Sequence, residues 1–236
     1  MSLESLSATL ASTTHVLLDF DGPVCSIFAG LPAPSVAARL CDVISNDHGG
    51  DLPPDEPRFT DPLEVLRWAD EHLSWIAYFV DYELRDAEVE AANIAEPTPG
   101  AAEFLRACKA AGRPVAIVSN NSAPAIEAYL ARTGVRDLVA HVEGRPALEP
   151  ALMKPDPYLP LRAVAALGTT PATCMFVGDS TSDVQAALAI RSTPVGYANK
   201  PAKHARLADA GAVALVDSMH QLARAVATAG PVLRHS

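Results

Sequence analysis

Two carboxylates, Asp19 and Asp21, stand one residue apart, directly after the apolar run His15–Leu18. A nearly continuous apolar run is typical of a parallel strand buried on both faces, so the two acids should lie at the carboxyl edge of a sheet. Ligands of open α/β sheets bind in the crevice at that edge, where carboxylates can bind cations or transfer protons. Gly22 and Pro23 then predict a turn. Taken alone, the pair is equally compatible with two solvated loop acids.

Polar segments also follow two later predicted strands, at 115–118 and 174–177. The first strand leads into the sequence SNNS at 119–122, and the second leads into GDSTSD at 178–183. A further polar segment, KPDP at 154–157, precedes a predicted helix. The carboxyl ends of parallel strands share one edge of a sheet, so these segments should meet the first pair of acids there.

Helices and short apolar strands alternate after Pro99-Gly100. Besides the first strand at 15–18, strands are predicted at 115–118, 138–142, 174–177, 193–197 and 212–216, and helices at 100–111, 123–132, 156–167, 183–190 and 201–209. Alternation of this kind implies right-handed βαβ units and a parallel sheet. We therefore predict an α/β fold with a Rossmann-like parallel sheet core flanked by helices.

Only helical patterns occur between the first strand and this alternation. One helix is predicted from about Pro34 to Asn46 and another from about residue 75 to 95. Between them, Asp61 is the expected N-cap of a helix that has Pro62 at its first position. The acidic, proline-rich segment 51–57 is predicted to be a loop.

The helical insertion predicts a two-domain organisation. Residues 1–24 and 98–236 would form the α/β core, and residues 25–97 an all-helical cap that covers the crevice as a lid. Residues 1–12 are rich in Ser, Thr and Ala and predict a frayed lead-in. Four aromatic residues of the cap are expected in its apolar core: Trp68, Trp75, Tyr78 and Phe79.

Composition excludes several classes of protein. With 236 residues and 49% hydrophobic content, the chain can bury a sizeable core, and it has neither an apolar run of about 18 residues nor a secretory signal. A net charge of −10 disfavours binding to nucleic acid. No CxxC pair occurs, which argues against zinc and disulfides and predicts reduced cytoplasmic thiols at the four cysteines, Cys25, Cys41, Cys108 and Cys174.

The order and spacing of the four polar segments resemble the haloacid dehalogenase-like (HAD) hydrolase superfamily. The matching motifs are DFDGPV at 19–24, Ser119 in SNN, Lys154 in KPDP and GDSTSD at 178–183. The likeness is to the phosphatase branch that has a helical cap between its first and second motifs. Because the motifs run in order from residue 19 to residue 183, the resemblance extends over most of the chain.

This resemblance implies Mg²⁺-dependent phosphoryl transfer. Asp19 would be the nucleophile that becomes an aspartyl-phosphate, and Asp21 would protonate the leaving oxygen and later deprotonate water. The side chains of Asp19 and Asp179, with the main-chain carbonyl of Asp21, would hold the metal. Asp183 would support the metal site or fix Lys154.

The resemblance also implies a phosphate-binding set. Ser119 would donate a hydrogen bond to a phosphoryl oxygen, assisted by the backbone N–H groups of Gly22 and Asn120. Lys154 would offset the negative charge of Asp19 and of the phosphoryl group.

Simpler interpretations remain open for some of these residues. Asp183 and Ser180 could serve only as caps of the helix at 183–190. Ser119 could be a turn residue, and Lys154 could be a solvated loop charge. Pro23 stands where many phosphatases of the superfamily carry a Thr that orients the acid/base carboxylate, so the support of Asp21 is an open question.

The leading hypothesis is a phosphatase that hydrolyses a small soluble phosphomonoester, phosphoglycolate-like or a sugar phosphate. Asp21 disfavours halide removal, which needs no proton donor, and the absence of Lys from 25–97 disfavours a Schiff-base mechanism. The alternatives are a phosphomutase of the β-phosphoglucomutase type and a non-catalytic binding protein. Arginines of the cap could face a polar substrate. The sequence leaves the oligomeric state undetermined, and no membrane partner is expected.

Overall fold

Six parallel strands form the central sheet of the computed structural model, which describes residues 3–48 and 59–232 of the chain. They are β1 (His15–Leu18), β2 (Val115–Ser122), β3 (His141–Arg145), β4 (Cys174–Gly178), β5 (Thr193–Tyr197) and β6 (Ala214–Val216). Their spatial order is β3-β2-β1-β4-β5-β6, and each neighbouring pair runs parallel. The direction of travel across the sheet switches between β1 and β4, where sheets of this kind open a crevice. The predicted Rossmann-like α/β fold is confirmed.

Ten α-helices occur in the described ranges. They are α1 (Leu3–Ser12), α2 (Ala33–His48), α3 (Pro62–His72), α4 (Ala77–Ile94), α5 (Ala101–Ala110), α6 (Ala123–Arg132), α7 (Tyr158–Ala166), α8 (Thr181–Ala189), α9 (Pro201–Asp209) and α10 (Met219–Ala229). The Asp61 side chain accepts a hydrogen bond from the Leu63 N–H, which confirms the predicted cap of α3. The predicted loop at 51–57 lies outside the described residues. None of these helices has both the length and the apolar character needed to cross a membrane.

Apolar clusters cover both faces of the sheet. On β1, Val16 and Leu18 pack into a cluster with α1, α5, α6 and α10, whereas Leu17 packs on the opposite face with α7 and α8. All three side chains are fully buried. Because neither face of β1 meets water, its sequence is apolar until the strand ends, and Asp19 follows at that end.

The N-terminal segment is an ordered helix, so the predicted frayed lead-in is wrong. Leu6 and Leu10 lie one turn apart on α1 and are buried in the core. The buried guanidinium of Arg113 donates hydrogen bonds to the carbonyl oxygens of Leu10 (2.7 Å) and Thr13 at the end of this helix. A distant arginine thus satisfies carbonyls that the end of a helix leaves without partners.

The sequence analysis made no prediction for α10. Ser218 caps it by accepting a hydrogen bond from the Gln221 N–H, and Met219, Leu222 and Val226 are buried against the sheet. This helix and α1 complete the cover of one face of the sheet.

The three helices α2, α3 and α4 enclose a separate apolar cluster, which includes Leu40, Leu66, Val80 and Leu84. The last turn of α4, by contrast, belongs to the core beside the sheet. Ala91 and Ala92 on the helix, and Ala95 just after it, are buried in that cluster. One helix therefore joins both clusters. The division into a cap at 25–97 and a core stays a prediction.

The prediction that four cap aromatics are buried is wrong for three of them. Trp75, Tyr78 and Phe79 are 63%, 55% and 51% exposed, and only Trp68 packs against the cluster of the helical block. Small residues occupy much of the inward face of α4, among them Ala77, Ala87 and Ala91, so the large rings are not needed to fill that space.

Candidate active site

A crevice of about 1150 Å³ opens at the carboxyl edge of the sheet, beneath α3. Its floor includes residues from all four polar segments, and its opposite wall comes from the helical block. Among the lining residues are Asp19, Asp21, Ser119, Lys154, Asp179 and Arg67. The structure therefore brings together side chains that lie far apart in the sequence.

The turn after β1 fixes the direction of Asp21. Its Oδ1 accepts a hydrogen bond of 3.0 Å from the Ile27 N–H, and the chain returns over itself because Val24 and Cys25 both donate to the carbonyl of Phe20. The Ile27 backbone thus provides an orienting contact for the acid in a chain that has Pro23 where a Thr was expected.

The surroundings of Asp21 suit a group that exchanges protons near neutral pH. Although its side chain reaches the crevice, the protein around it removes enough solvent to raise the pKa of Asp21 to about 6, and Asp179 contributes repulsion. The Ile27 N–H and Lys203 oppose this rise in pKa. A carboxyl group of this kind can donate a proton and later accept one.

Gly22 allows the turn to approach the acidic cluster closely. Its φ is +102°, and a Cβ atom there would lie 2.3 Å from Oδ2 of Asp179. Only glycine fits both the backbone conformation and this space. The N–H of Gly22 donates to the carbonyl of Cys25 at 2.6 Å, so its predicted bond to phosphate would require an exchange of partners.

Lys154 lies fully enclosed between the strand ends, and the solvated-loop interpretation of this residue is wrong. Its Nζ donates to Oδ1 of Asp19 (2.7 Å), Oδ1 of Asp183 (2.6 Å) and the carbonyl of Val118 (2.9 Å). Burial would lower the pKa of Lys154, but Asp183 and Asp19 more than offset that and raise it. All three protons of the ammonium are donated to protein oxygens. Within the crevice, its positive charge therefore acts mainly on the carboxylate of Asp19.

Asp183 caps a helix and holds the lysine at the same time. Its Oδ2 accepts hydrogen bonds from the N–H (3.0 Å) and the hydroxyl (2.6 Å) of Ser180. The first of these bonds and the bond from the Asp183 N–H to the Ser180 Oγ (3.3 Å) form a capping box at the start of α8. Oδ1 of Asp183 accepts from Lys154. Gly178 makes room for this carboxylate, because a Cβ there would lie 2.3 Å from the Cβ of Asp183.

Three carboxylates form the only group in the described part of the chain that could hold a metal ion. One oxygen from each of Asp19, Asp179 and Asp183 lies within 4.8 Å of the others. Burial and mutual repulsion raise the pKa of Asp19 and of Asp179. Hard oxygen donors that repel one another fit a divalent cation such as Mg²⁺, and the ligand roles of Asp19, Asp21, Asp179 and Asp183 stay predictions.

Lys203 on α9 adds a contact that the sequence analysis missed. Its Nζ forms an ion pair with Oδ2 of Asp179 and lowers the pKa of that carboxyl, against the larger effect of burial. No motif marks this lysine, because it comes from a helix after the last polar segment.

The last residues of β2, which extends to Ser122 and not only to the predicted residue 118, are held by a chain of side-chain hydrogen bonds. The Ser119 hydroxyl is buried, donates to Oδ1 of Asn121 (3.2 Å) and accepts from the Asn121 N–H (3.2 Å). Asn120 accepts from the Lys154 N–H at 2.8 Å and donates to the Lys154 carbonyl at 3.2 Å. The predicted phosphate contacts of Ser119 and Asn120 remain predictions.

The motifs and the inserted helices match a known family. A family model described as haloacid dehalogenase-like hydrolase covers residues 14–191. The chain belongs to this family. The matched region contains all four polar segments and the helical insertion between the first two.

Two curated relatives of this HAD-like hydrolase are phosphoglycolate phosphatases. The protein of Synechococcus elongatus is 40% identical over 89 residues, which are 38% of this chain and 40% of the relative. The protein of Thiobacillus denitrificans is 33% identical over 105 residues, 43% of this chain and 45% of the relative. The matches span less than half the length of either relative.

A solved structure of CbbY from Rhodobacter sphaeroides shares the fold. It matches 89% of this chain and 96% of its own with a TM-score of 0.67, at 19% sequence identity. At that identity the likeness supports the fold alone.

Proposed function

We propose that this HAD-like hydrolase is a Mg²⁺-dependent phosphatase that acts on a small phosphomonoester through an aspartyl-phosphate on Asp19. The observation that carries the proposal is that Asp19 and Asp21, the two acids after β1, lie in different environments. Asp19 is buried and paired with Lys154, whereas Asp21 reaches the crevice with a pKa of about 6. A nucleophile and an acid/base need these two environments.

The contacts of Asp19 suit nucleophilic attack. Its Oδ1 accepts from Lys154 (2.7 Å) and from the Phe20 N–H (2.8 Å), whereas Oδ2 has no hydrogen bond from the described residues. In the proposed first step an oxygen of Asp19 attacks phosphorus, the bond to the leaving oxygen breaks, and Asp21 gives that oxygen its proton.

The second step reverses the role of Asp21. Its carboxylate takes a proton from water, the water oxygen attacks phosphorus, and the bond to Asp19 breaks to release inorganic phosphate. Lys154 stays close to Asp19 throughout, because its other partners, Asp183 and the Val118 carbonyl, are buried beside it.

The acidic cluster supports a role for Mg²⁺. Asp19 and Asp179 would hold the ion with the main-chain carbonyl of Asp21, and Asp183, whose two oxygens are already engaged, would act by fixing Lys154. When bound, the ion would neutralise the repulsion between the carboxylates and the phosphoryl group.

Several observations support a small phosphorylated substrate. The two curated relatives are phosphoglycolate phosphatases, and the CbbY structure is a complex with phosphate. The crevice lies under a helical wall that would limit the size of the substrate and exclude water. Cys25, Cys108 and Cys174 are buried thiols outside any disulfide bond, which is consistent with a cytoplasmic location.

Replacement of the nucleophile tests the proposal. Asp19→Asn should lower Mg²⁺-dependent phosphate release from p-nitrophenyl phosphate by about 10³-fold or more, while Asp209→Asn, a change of an exposed acid on α9, should leave it unchanged. Full activity of Asp19→Asn would refute the mechanism. Absence of any turnover in the wild-type protein, across a panel of phosphorylated metabolites, would favour a binding protein. Isomerisation of a sugar phosphate without phosphate release would favour a phosphomutase.

A further inference from the structure

Four charged side chains form a buried network between the helical block and the sheet. Asp81 and Glu88 come from α4, Arg145 ends β3, and Arg85 joins Asp81 at 2.8 Å from one turn along α4. The side chains of Arg145 and Glu88 are fully buried, and that of Asp81 is 4% exposed. Two carboxylates and two guanidiniums balance one another in charge, as burial requires.

Arg145 is held from several sides. Its Nη1 donates to Glu88 at 2.8 Å, its Nη2 donates to the same carboxylate at 3.3 Å, and its Nε donates to Asp81 at 3.2 Å. Burial alone would lower the pKa of Arg145, but Glu88 and Asp81 raise it. The guanidinium is therefore a fixed cation with a fixed orientation.

The network forms hydrogen bonds with the residues that follow Ser119. Arg145 Nη1 donates to the carbonyl of Asn120 at 2.8 Å. Glu88 accepts from the Ser122 N–H at 2.9 Å and from the Asn121 side chain at 3.2 Å. These contacts fall where the pairing of β2 with β3 shifts register between Val118 and Ser122, so regular strand pairing does not fix this stretch.

Asn120 connects this stretch of β2 to the backbone of Lys154. The Asn120 side chain accepts from the Lys154 N–H at 2.8 Å and donates to the Lys154 carbonyl at 3.2 Å. Among the described residues, neither Glu88 nor Arg145 bonds directly to Lys154. Asn120 bridges the two, because its carbonyl accepts from Arg145 and its side chain bonds to the Lys154 backbone.

The geometry points to Glu88 and Arg145 as positioning residues: Glu88 acts through Asn121 on Ser119, and Arg145 acts through Asn120 on Lys154. They do not touch the reacting atoms. Because Glu88 belongs to α4, a helix of the cap block sets the geometry of the phosphoryl-binding floor, and α4 is a fixed support rather than part of a moving lid. This inference rests on the proposed phosphatase function, but its structural half can be tested without it.

The variant must not leave a buried charge alone, since removal of one partner of a buried pair is strongly destabilising. Glu88→Met combined with Arg145→Met removes one charge of each sign and leaves the Asp81–Arg85 pair in place. The matched control is Glu90→Met with Arg39→Met, which removes an ion pair (2.9 Å) between exposed side chains of α4 and α2.

Amide hydrogen exchange reports on the coupling without any substrate. The Lys154 amide should exchange at least about 10-fold faster in the Glu88/Arg145 variant than in the wild type and in the control variant. The Asp19 amide, which donates to the Val177 carbonyl at 2.9 Å, serves as the internal reference for overall stability. Unchanged exchange at Lys154 relative to Asp19 would overturn the inference, whether or not the protein is a phosphatase.

Kinetics with p-nitrophenyl phosphate test the functional half. The kcat of the Glu88/Arg145 variant should fall about 10- to 100-fold, because small misplacements of reacting groups have effects of that size, while KM changes less than about 3-fold. The single variant Glu88→Gln keeps an acceptor oxygen for the Ser122 N–H and leaves Arg145 paired with Asp81, so its kcat should fall less than that of the double variant. A wild-type kcat in the double variant would refute the positioning role even if Lys154 exchanges faster.

Discussion

At the scale of single residues, the role of Asp21 as proton donor can be tested with substrates whose leaving groups differ in their need for a proton. A nitrophenolate leaves without a proton, whereas an alkoxide needs one. Asp21→Asn should therefore lower turnover of an alkyl phosphate such as glycerol phosphate by about 10²- to 10⁴-fold. With p-nitrophenyl phosphate it should still release a burst of nitrophenol equal to the enzyme concentration, since only the second step needs the base.

Rapid mixing with quantification of nitrophenol measures this burst. Loss of the burst together with the alkyl activity would show that Asp21 supports the nucleophile instead of the proton transfers. Retention of both activities would exclude Asp21 as the acid.

Single residues also show how far sequence reasoning reaches. Asp19, Asp21 and Asp179 were predictable because each follows an apolar strand within a motif, and the crevice contains all three. The contact of Lys203 with Asp179 was not predictable, since it exists only once α9 packs beside α8. Arg145 and Glu88 are 57 residues apart, and no local pattern distinguishes a buried ion pair from two solvated charges.

At the scale of elements, hydrophobic pattern located the helices and strands better than their ends. β3 begins at His141, although the prediction ran from 138 to 142, and α8 begins at Thr181 instead of residue 183. Ends are set by caps and by pairing with other strands, which the local pattern does not contain. The exposed rings of Tyr78 and Phe79 are a related case, because periodicity alone does not say which face of α4 is covered.

The wall formed by α3 makes a prediction about substrate. Arg67 lines the crevice and has no ion pair with the described residues, whereas Arg39 pairs with Glu83 and Glu90 and Arg85 pairs with Asp81. If the substrate carries a second anionic group, Arg67→Met should raise its KM about 10-fold, the size of a lost charged hydrogen bond.

Phosphoglycolate, a neutral sugar phosphate and p-nitrophenyl phosphate should be compared in Arg67→Met, with Arg39→Met as the control. A KM increase limited to phosphoglycolate would support an anion site on α3. An equal increase in KM for all three substrates would show that Arg67 does not bind a second anionic group of the substrate.

At the scale of the whole molecule, the acidic cluster couples metal binding to stability. Burial and repulsion raise the pKa of Asp19, Asp21 and Asp179 in the metal-free protein. The folded state therefore binds protons more tightly at these sites than the unfolded chain does. Their contribution to stability is greatest at low pH and is lost as pH rises through the raised pKa values, about 6 for Asp21.

Thermal unfolding at several pH values tests this coupling. Without metal, Asp179→Asn should unfold at a higher temperature than the wild type, by about 2 °C or more at neutral pH, and the difference should shrink as the pH falls through the raised pKa of Asp179. Mg²⁺ should raise the wild-type Tm, more so at pH 7 than at pH 5, because it binds the ionised carboxylates. The exposed-acid variant Asp209→Asn should behave as wild type. A Mg²⁺ effect of equal size in Asp179→Asn would place the ion elsewhere, and a wild-type Mg²⁺ effect that does not grow with pH would refute the linkage between these carboxylates and the metal.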